Sequence, residues 1–258
     1  MERTPIDFCP EAFPESFRPL LAGARLYDSS SSTKARVYFI DKGAGLYLKK
    51  APAGSLAREA ATTRWFAEKG LAPQVLAYET GDSDWLLTER MPGEDCIDER
   101  YLADPIRLCD TLAQILRALH DTDPTGCPVP DHTALYLTRA AENRRQGRWD
   151  PSYAPMGTTP EEAWNLVLRN GPMLRSDTLL HGDYCLPNIM LDNWQFRGFI
   201  DLDHAGIGDR HVDLYWATWS LNYNLKTNQY RDRFLDAYGR EHVSEELLQT
   251  VAAIETFG

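Results

Sequence analysis

The feature that most constrains this chain is an eight-residue run at positions 181–188, which reads HGDYCLPN. A second carboxylate, Asp201, follows the apolar segment 196–200. Transfer of a nucleotide γ-phosphate needs one carboxylate beside the attacking hydroxyl, an amide oxygen on Mg²⁺ five residues later, and a second metal-binding carboxylate after the next strand. Asp183, Asn188 and Asp201 have that order and spacing. The pattern therefore predicts a phosphoryl-transfer site.

A simpler interpretation is that His-Gly-Asp forms a turn and that the Asp and Asn side chains cap helices. Against this, an apparent turn at Asp192-Asn193 and the strand pattern of 196–200 place both carboxylates at strand or loop ends. Mg²⁺ prefers one or two protein oxygens, which Asn188 and Asp201 would supply. Asp183 would then be free to orient the acceptor hydroxyl and take its proton.

Length and composition predict a globular protein. The chain has 258 residues, of which 43% are hydrophobic, enough for one large domain or two lobes. No apolar run is as long as a membrane span, and the first residues lack the profile of a secretion signal. The five cysteines are scattered without the paired spacing of a zinc site. We therefore expect a cytoplasmic protein with reduced thiols and no membrane partner.

The charge balance is acidic, with 27 Lys and Arg against 38 Asp and Glu and a net charge of −11. Such a surface repels nucleic acid and anionic lipid, so we expect neither as a partner. It would attract a small cationic molecule, although an acidic surface also serves solubility alone.

The first part of the chain predicts a β-hairpin. Residues 37–40 and 46–49 are aromatic and aliphatic, and turn-forming residues separate them. Four serines precede this hairpin, where nucleotide-binding kinases carry a glycine-rich loop. Ser30 and Ser31 are candidates for phosphate contact, but the same run is typical of a plain flexible loop.

Lys49 is the candidate for binding the nucleotide phosphates. Lys50 follows it directly, and alternation along a strand sends the two side chains to opposite faces without deciding which one enters the site. A helical pattern begins at Ser55, and its Glu59 could either hold the lysine or form an ordinary surface salt bridge.

Two further strands are predicted at 74–78 and 85–88, followed by a break at 89–93 that predicts a hinge with backbone groups open to a nucleobase. Beyond the hinge the pattern is helical. Helices are predicted from Asp104-Pro105, over 135–145, over 160–168 and from 213 onward. His120, at the end of the first of these, is expected to cap helix carbonyls.

Several of these motifs together resemble the aminoglycoside phosphotransferases, and most closely their 3′-phosphotransferase group. The motifs that carry the resemblance are Leu46-Tyr47-Leu48-Lys49, Trp85-Leu86-Leu87, Leu119-His120 with Cys127-Pro128, His181-Gly182-Asp183 with Leu186-Pro187-Asn188-Ile189, Gly198-Phe199-Ile200-Asp201, and Gly208-Asp209-Arg210 with Asp213. The resemblance implies an α+β, protein-kinase-like fold with a small antiparallel sheet lobe, residues 1–91, and a larger helical lobe, residues 92–258.

The resemblance also implies roles for individual residues. Asp183 would be catalytic, Asn188 and Asp201 would bind Mg²⁺, and Lys49, oriented by Glu59, would bind the phosphates of ATP or GTP. The hinge would consist of Thr88, Glu89, Arg90 and Met91. The acceptor would be a hydroxyl of an aminoglycoside, expected to be the 3′-hydroxyl, and such an activity confers antibiotic resistance.

The acceptor side departs from the family pattern. His204 stands where the family carries an arginine, and Trp219-Ser220 stands where it carries an arginine and an acid. The remaining candidates for acceptor contact are Asp150, Asp203, His204, Glu255 and the terminal Gly258. An exposed ion pair contributes only about 0 to 1 kcal/mol, so fewer acids would mean weaker or different recognition.

Trp219 and Tyr223 leave two interpretations open. They could stack on a sugar face or a cation, but at helical spacing in a compact chain burial in the core is the commoner outcome.

The sequence thus predicts a small-molecule O-kinase, monomeric or weakly dimeric. The rival hypotheses are a kinase of the same fold that acts on another antibiotic, an amino alcohol or a sugar, and a nucleotide-binding protein without turnover.

Overall fold

The computed structural model describes residues 3–7, 9–30, 35–155 and 157–258. Strands dominate the first third of the chain. The strands are β1 Thr4–Ile6, β2 Arg25–Asp28, β3 Arg36–Asp41, β4 Leu46–Pro52, β5 Val75–Glu79, β6 Ser83–Glu89, β7 Glu94–Asp95, β8 Thr178–Leu180, β9 Ile189–Asp192, β10 Gln195–Phe199 and β11 Gly206–Gly208. The helices are α1 Arg18–Leu21, α2 Ala57–Glu68, α3 Glu99–Leu102, α4 Pro105–His120, α5 His132–Arg145, α6 Pro160–Asn170, α7 His211–Leu225, α8 Arg231–Tyr238 and α9 Glu245–Glu255.

The first six strands form an antiparallel sheet in the order β1-β2-β3-β4-β6-β5. β3 and β4 form the predicted hairpin, with Val37 opposite Lys49, and Lys49 lies opposite Leu86 on β6. Because side chains alternate along a strand, Leu48 is fully buried in a cluster with Phe13 and Phe17, whereas Lys49 points to the other face of the sheet.

Asp84 on β6 fixes the start of α2. Its carboxylate is fully buried and accepts hydrogen bonds from the Leu56 backbone N–H at 2.9 Å, the Tyr78 hydroxyl at 3.0 Å and the Thr80 hydroxyl at 2.7 Å. Burial acts to raise the pKa of Asp84, but these hydrogen bonds outweigh it and lower the pKa. The expected helix start at Ser55 is wrong, because that hydroxyl donates to the Pro52 carbonyl and α2 begins at Ala57.

The helical part is built around α4, whose start is as predicted. Asp104 caps the helix by accepting from the Arg107 N–H at 3.2 Å, and Pro105 occupies the first turn, where no N–H is needed. Its apolar face, with Leu112 and Leu116 fully buried, packs in the largest core cluster, and the helix lies against α8.

The expected capping role of His120 is wrong. Its ring is buried, with Nδ1 2.8 Å from the Tyr238 hydroxyl and Nε2 3.1 Å from Asp213. Burial lowers its pKa, so the ring is neutral, and it donates to the carboxylate of Asp213 through Nε2 and accepts from the Tyr238 hydroxyl through Nδ1. His120 therefore orients Asp213 instead of the end of its own helix.

Other helix boundaries shift by a few residues. α5 begins at His132 and not at 135, α6 runs on to Asn170, and α7 begins at His211. These differences arise at helix ends, where caps and tertiary contacts decide the boundary. The expected α+β arrangement, a sheet lobe followed by a helical lobe, is confirmed. No helix in the described ranges is long and apolar enough to cross a membrane.

The segment between β6 and β7 joins the two parts. β7 pairs with β9 of the helical part, with Glu94 opposite Leu191. Gly93 has a φ of +88°, and a Cβ at this position would overlap the Leu191 carbonyl. A glycine is therefore required here for the connecting segment to lie against β9.

We predict that Asp84→Ala lowers the free energy of unfolding by about 3 kcal/mol, because three donors lose a buried charged acceptor. Thr80→Val removes a single donor and should cost about 1 kcal/mol. Urea unfolding followed by circular dichroism measures both values. A cost for Asp84→Ala no larger than that for Thr80→Val would contradict the assigned role.

Candidate active site

A cavity of about 410 Å³ lies between the sheet and the helical part. Its walls combine apolar side chains, among them Leu86 from the sheet and Met190 and Ile200 from the opposite side, with the polar groups Lys49 and Asp201. An apolar cavity with a few convergent polar groups is typical of a nucleotide or cofactor site.

Residues 181–188 follow directly after β8, and Asp213 from α7 holds them in place. We call this segment the catalytic loop because it contains the candidate residue Asp183. The fully buried carboxylate of Asp213 accepts the backbone N–H groups of His181 at 2.8 Å and Gly182 at 2.7 Å, besides the bond from His120. Gly182 has a φ of +80°, and a Cβ there would overlap the His204 carbonyl. Only glycine fits this turn, which presents Asp183 beyond it.

The second side of the loop is held by His181 itself. Its ring is fully buried, with Nε2 3.1 Å from the Ile200 carbonyl and Nδ1 accepting from the Asp183 N–H at 3.3 Å. These contacts connect the loop to the segment that carries Asp201, and they use both ring nitrogens of His181.

The structure brings the three predicted chemical groups together. Asn188 Nδ2 donates to the Asp183 backbone carbonyl and to Asp183 Oδ2, both at 3.0 Å. The Ile200 N–H donates to the Asn188 carbonyl at 3.0 Å, which places Asp201 beside Asn188. Since Asn188 uses its NH₂ group on Asp183, its Oδ1 is the atom available to a cation.

Lys49 joins the sheet to this group. Its Nζ donates to both carboxylate oxygens of Glu59, at 2.9 and 2.8 Å, and to Asp201 Oδ1 at 2.8 Å. Lys50 points the other way, with Nζ 4.8 Å from the centre of the Trp85 ring. The choice that alternation alone left open is therefore resolved by geometry in favour of Lys49.

The charges of this group act on one another. Burial acts to lower the pKa of Lys49, but Glu59 and Asp201 outweigh it and raise the pKa. Burial raises the pKa of Glu59 to about 7, with Lys49 opposing the rise. The two charge-assisted hydrogen bonds from Lys49, of 2.8 to 2.9 Å, stabilise the ionised form of Glu59. The pKa of Asp201 is lowered, because the Lys49 charge outweighs the effect of burial.

The residues present fit a magnesium ion. Asn188 Oδ1 and the Asp201 carboxylate are hard oxygen ligands, and Mg²⁺ normally takes one or two such ligands from the protein, with water and phosphate completing the octahedron. Within the described ranges no three His, Cys, Asp or Glu side chains cluster as a metal cage. Two protein ligands leave most of the Mg²⁺ octahedron open, which suits an ion that is bound together with nucleotide phosphates.

The expected hinge residues Thr88, Glu89, Arg90 and Met91 all line the cavity. Two of their backbone N–H groups already have partners inside the protein, because Glu89 donates to the Gln74 carbonyl and Arg90 to the Gly45 carbonyl. Contact with a base would therefore involve the other backbone groups of this segment.

The serine loop differs from expectation in part. Ser30 hydrogen bonds within the loop, since its hydroxyl accepts from the Val37 N–H at 2.9 Å and its own N–H donates to Asp28. Ser29, not Ser30, is found among the cavity-lining residues. Ser31 lies outside the described residues.

Two of the acceptor candidates lie just after Asp201. Asp203 is bound by the Arg58 guanidinium from α2, at 3.2 and 2.9 Å, so its charge is already compensated. His204 Nδ1 accepts from Arg139 at 3.4 Å, and burial, together with the Arg139 charge, lowers the His204 pKa. Their predicted contacts with an acceptor stay predictions.

The other candidates lie around the end of α9. Glu255 is 5% exposed, and its Oε1 accepts from the Tyr136 hydroxyl at 2.6 Å and from Trp216 Nε1 at 3.1 Å. Burial raises the pKa of Glu255. The Asp150 carboxylate accepts the Ser152 N–H at 2.9 Å, and the Gly258 carbonyl accepts from an asparagine side chain.

Sequence reasoning missed several residues of these walls. Tyr47 lines the cavity, and its place two residues before Lys49 on the same strand was the available signal. Tyr153 and Trp216 meet at 5.7 Å beside Glu255, which no local pattern predicted.

Burial, the commoner outcome for Trp219 and Tyr223, is wrong for Tyr223, which is 59% exposed. Helical spacing alone does not tell which face of α7 is covered.

Comparison with known proteins agrees with this geometry. The model of the phosphotransferase enzyme family matches residues 29–249, and the chain belongs to that family. It is 47% identical over 251 residues to a probable aminoglycoside 3′-phosphotransferase of Lactococcus lactis subsp. lactis, covering 96% of both chains. It is 30% identical over 222 residues to an aminoglycoside 3′-phosphotransferase of Niallia circulans, covering 84% of this chain and 85% of that one.

Among solved structures, an aminoglycoside-3′-phosphotransferase of type VIII matches with a TM-score of 0.78 and 27% identity, covering 94% of this chain and 97% of that one. The resemblance to aminoglycoside phosphotransferases and the protein-kinase-like fold expected from the sequence are thus confirmed.

We predict that Lys49→Met makes stability fall as pH rises from about 5 to 8. Without its cation the buried Glu59 stays protonated in the folded state, whereas it ionises near pH 4.3 when unfolded. The unfolded state then binds fewer protons, so the free energy of unfolding drops by up to about 1.4 kcal/mol per pH unit relative to the parent chain.

Denaturant unfolding at several pH values measures this slope. The matched control is the double variant Lys49→Met with Glu59→Gln, which has no titrating side chain at position 59 and should lose the extra slope. A stability difference between Lys49→Met and the parent that is constant across this pH range would contradict the assignment.

Proposed function

We propose that this protein transfers the γ-phosphate of ATP or GTP to a hydroxyl of an aminoglycoside, the 3′-hydroxyl. The observation that carries the proposal is the convergence of Asp183, Asn188, Asp201 and Lys49 at one cavity between the two lobes. Family membership, and the names of the relatives in Lactococcus lactis and Niallia circulans, support the aminoglycoside as acceptor.

In this proposal the nucleotide occupies the cavity, with its base beside the hinge and its phosphates towards Lys49. Asn188 and Asp201 hold Mg²⁺, which when bound neutralises charge on the phosphate oxygens. Glu59 keeps the Lys49 ammonium in place, so that a fixed positive charge faces the phosphates without reorganisation during the reaction.

Asp183 acts on the acceptor. Asn188 binds one of its carboxylate oxygens, Oδ2, and so fixes the orientation of the carboxylate. Asp183 orients the attacking hydroxyl in line with the γ-phosphate and accepts its proton as the new P–O bond forms. The bond between the γ-phosphorus and the bridging oxygen breaks in the same step, and the nucleoside diphosphate leaves. Because the step needs little covalent chemistry, this positioning provides most of the catalysis.

The acceptor binds on the α9 side of Asp183. Glu255, Asp150 and Gly258 line up along the end of α9, where the Asp150 N–H donates to the Thr256 carbonyl at 2.7 Å. Acidic groups there suit ammonium groups of the acceptor.

We further propose a monomer or weak dimer, a lobe boundary at residues 91 and 92, and a cytoplasmic location, which the five free cysteines support.

The experiment that tests the proposal measures acceptor-dependent nucleotide consumption with Mg²⁺ and either ATP or GTP. Kanamycin B and tobramycin form a matched pair, because tobramycin is kanamycin B without the 3′-hydroxyl. We expect turnover of kanamycin B and none of tobramycin.

The same panel includes an amino alcohol and a macrolide. Equal turnover of tobramycin would contradict the 3′ position, turnover of only the other acceptors would support a kinase of different specificity, and nucleotide binding without any turnover would favour the non-catalytic alternative.

We predict that Asp183→Asn lowers kcat by at least about 10²-fold, the lower range for general base catalysis. Nucleotide affinity should change less than about threefold, because the amide keeps the shape and Lys49 and the metal ligands are intact. Steady-state kinetics and a fluorescent-nucleotide titration measure the two quantities. Near-parental turnover by this variant would rule out Asp183 as the base.

A further inference from the structure

Four aromatic rings form a continuous surface beside the acceptor side of the site. Trp216, Trp219 and Tyr223 follow one another at helical spacing on α7, and Tyr153 joins them from the segment between α5 and α6. The ring centres of Tyr153 and Trp216 are 5.7 Å apart, those of Trp216 and Trp219 5.4 Å, and those of Trp219 and Tyr223 5.2 Å. The last two rings are stacked, with an angle of 7° between their planes. We call these four residues the aromatic wall.

The outer end of the aromatic wall is open to solvent. Tyr223 is 59% exposed, and Trp219 is half-buried. Exposed aromatic rings in contact with one another on a helix are a common sign of a binding surface, since the hydrophobic effect alone would favour their burial.

A cation already lies at this end. The Lys226 ammonium is 4.2 Å from the centre of the Tyr223 ring, within the range of a cation–π contact. Lys226 has a left-handed conformation, with a φ of +58°, directly after the last turn of α7. An ammonium group of the protein thus shows the chemistry that this end of the aromatic wall accepts.

The inner end of the aromatic wall adjoins the catalytic loop. Trp216 Nε1 donates to Glu255, and the Ser220 hydroxyl, next to Trp219, accepts the Leu186 N–H of the loop at 3.0 Å. Tyr223 follows Trp216 by seven positions, which corresponds to about 10 Å along a helix. That length is similar to the distance between the first and the third of three consecutive sugar rings in a small oligosaccharide.

Two carboxylates, those of Asp150 and Glu255, lie near Tyr153 at the inner end of the aromatic wall. The pKa of the Tyr153 hydroxyl is raised by burial and further by the carboxylates of Asp150 and Glu255 nearby. Carboxylates at the inner end and aromatic faces along the outer end both favour positive charge. The surface is therefore complementary to a polycation.

We propose that the aromatic wall binds the ammonium-bearing rings of the acceptor that lie farthest from the reacting hydroxyl, and that Lys226 competes with the acceptor for Tyr223. This inference rests on the proposed function. It assigns recognition to aromatic faces in the region where Trp219-Ser220 stands in place of the family's arginine and acid. It also predicts a preference for acceptors with three or more rings.

The test compares neomycin with neamine, its two-ring fragment, in steady-state kinetics. Trp219→Leu and Tyr223→Leu should raise the KM for neomycin by about 3- to 30-fold, the range of a cation–π contact, with a smaller change in kcat. The KM for neamine, which lacks the distant rings, should change less than twofold.

Three further variants sharpen the test. Tyr223→Phe keeps the ring and should restore most of the affinity lost in Tyr223→Leu. Asn222→Leu changes the neighbouring exposed residue of α7 and serves as the matched control without effect on KM. Lys226→Met removes the competing ammonium and should lower the KM for neomycin.

The outcomes separate this inference from the proposed function. If no aminoglycoside is turned over by the parent chain, the proposed function itself fails. If neomycin is turned over but Trp219→Leu and Tyr223→Leu leave its KM within twofold of the parent value, the aromatic wall has no role in binding. If both variants raise the KM for neamine as much as that for neomycin, the effect is structural and the inference is overturned.

Discussion

The contact on which the rest of the site depends is the Lys49 ammonium held between Glu59 and Asp201. It connects the sheet, helix α2 and the segment after β10, and the last of these lies 152 residues beyond Lys49 in the sequence. Without this cation two carboxylates would face each other across the cavity, one of them almost completely buried. The cost of burying the Glu59 charge is offset only because Lys49 binds it with two short hydrogen bonds.

A second set of contacts keeps that arrangement rigid. Asp84 fixes the start of α2, and Arg58 and Thr62 of the same helix bind Asp203 and the Leu202 carbonyl directly after Asp201. Asp213 holds the catalytic loop from the other side. The helix that carries Glu59 is thus held at its start and along its length, which fixes the position of the ion pair. Preorganised charge of this kind is what phosphoryl transfer requires.

The sequence predicted the parts that depend on local spacing. Asp183, Asn188 and Asp201 lie on one loop and the hairpin that follows it, so their order and separation largely determine their geometry. The β3–β4 hairpin and α4 were predicted for the same reason, because turn residues and a 3.6-residue period are local signals. Contacts between distant segments were not predictable in this way. The roles of Asp84 and His120 depend on partners that only the tertiary fold provides, and the exposure of Tyr223 depends on which helices cover α7. Asp203 has a sequence position suited to acceptor binding, but in the structure its carboxylate forms a salt bridge with Arg58.

The measurement that tests the central claim most directly is a crystal structure of the protein with Mg²⁺ and a non-hydrolysable ATP analogue. The account predicts a metal ion about 2.1 Å from Asn188 Oδ1 and from a carboxylate oxygen of Asp201, with Lys49 against the phosphates. A metal ion bound elsewhere would contradict the account. So would phosphates bound where the protein separates Lys49 from Asp183 and leaves no open path between them.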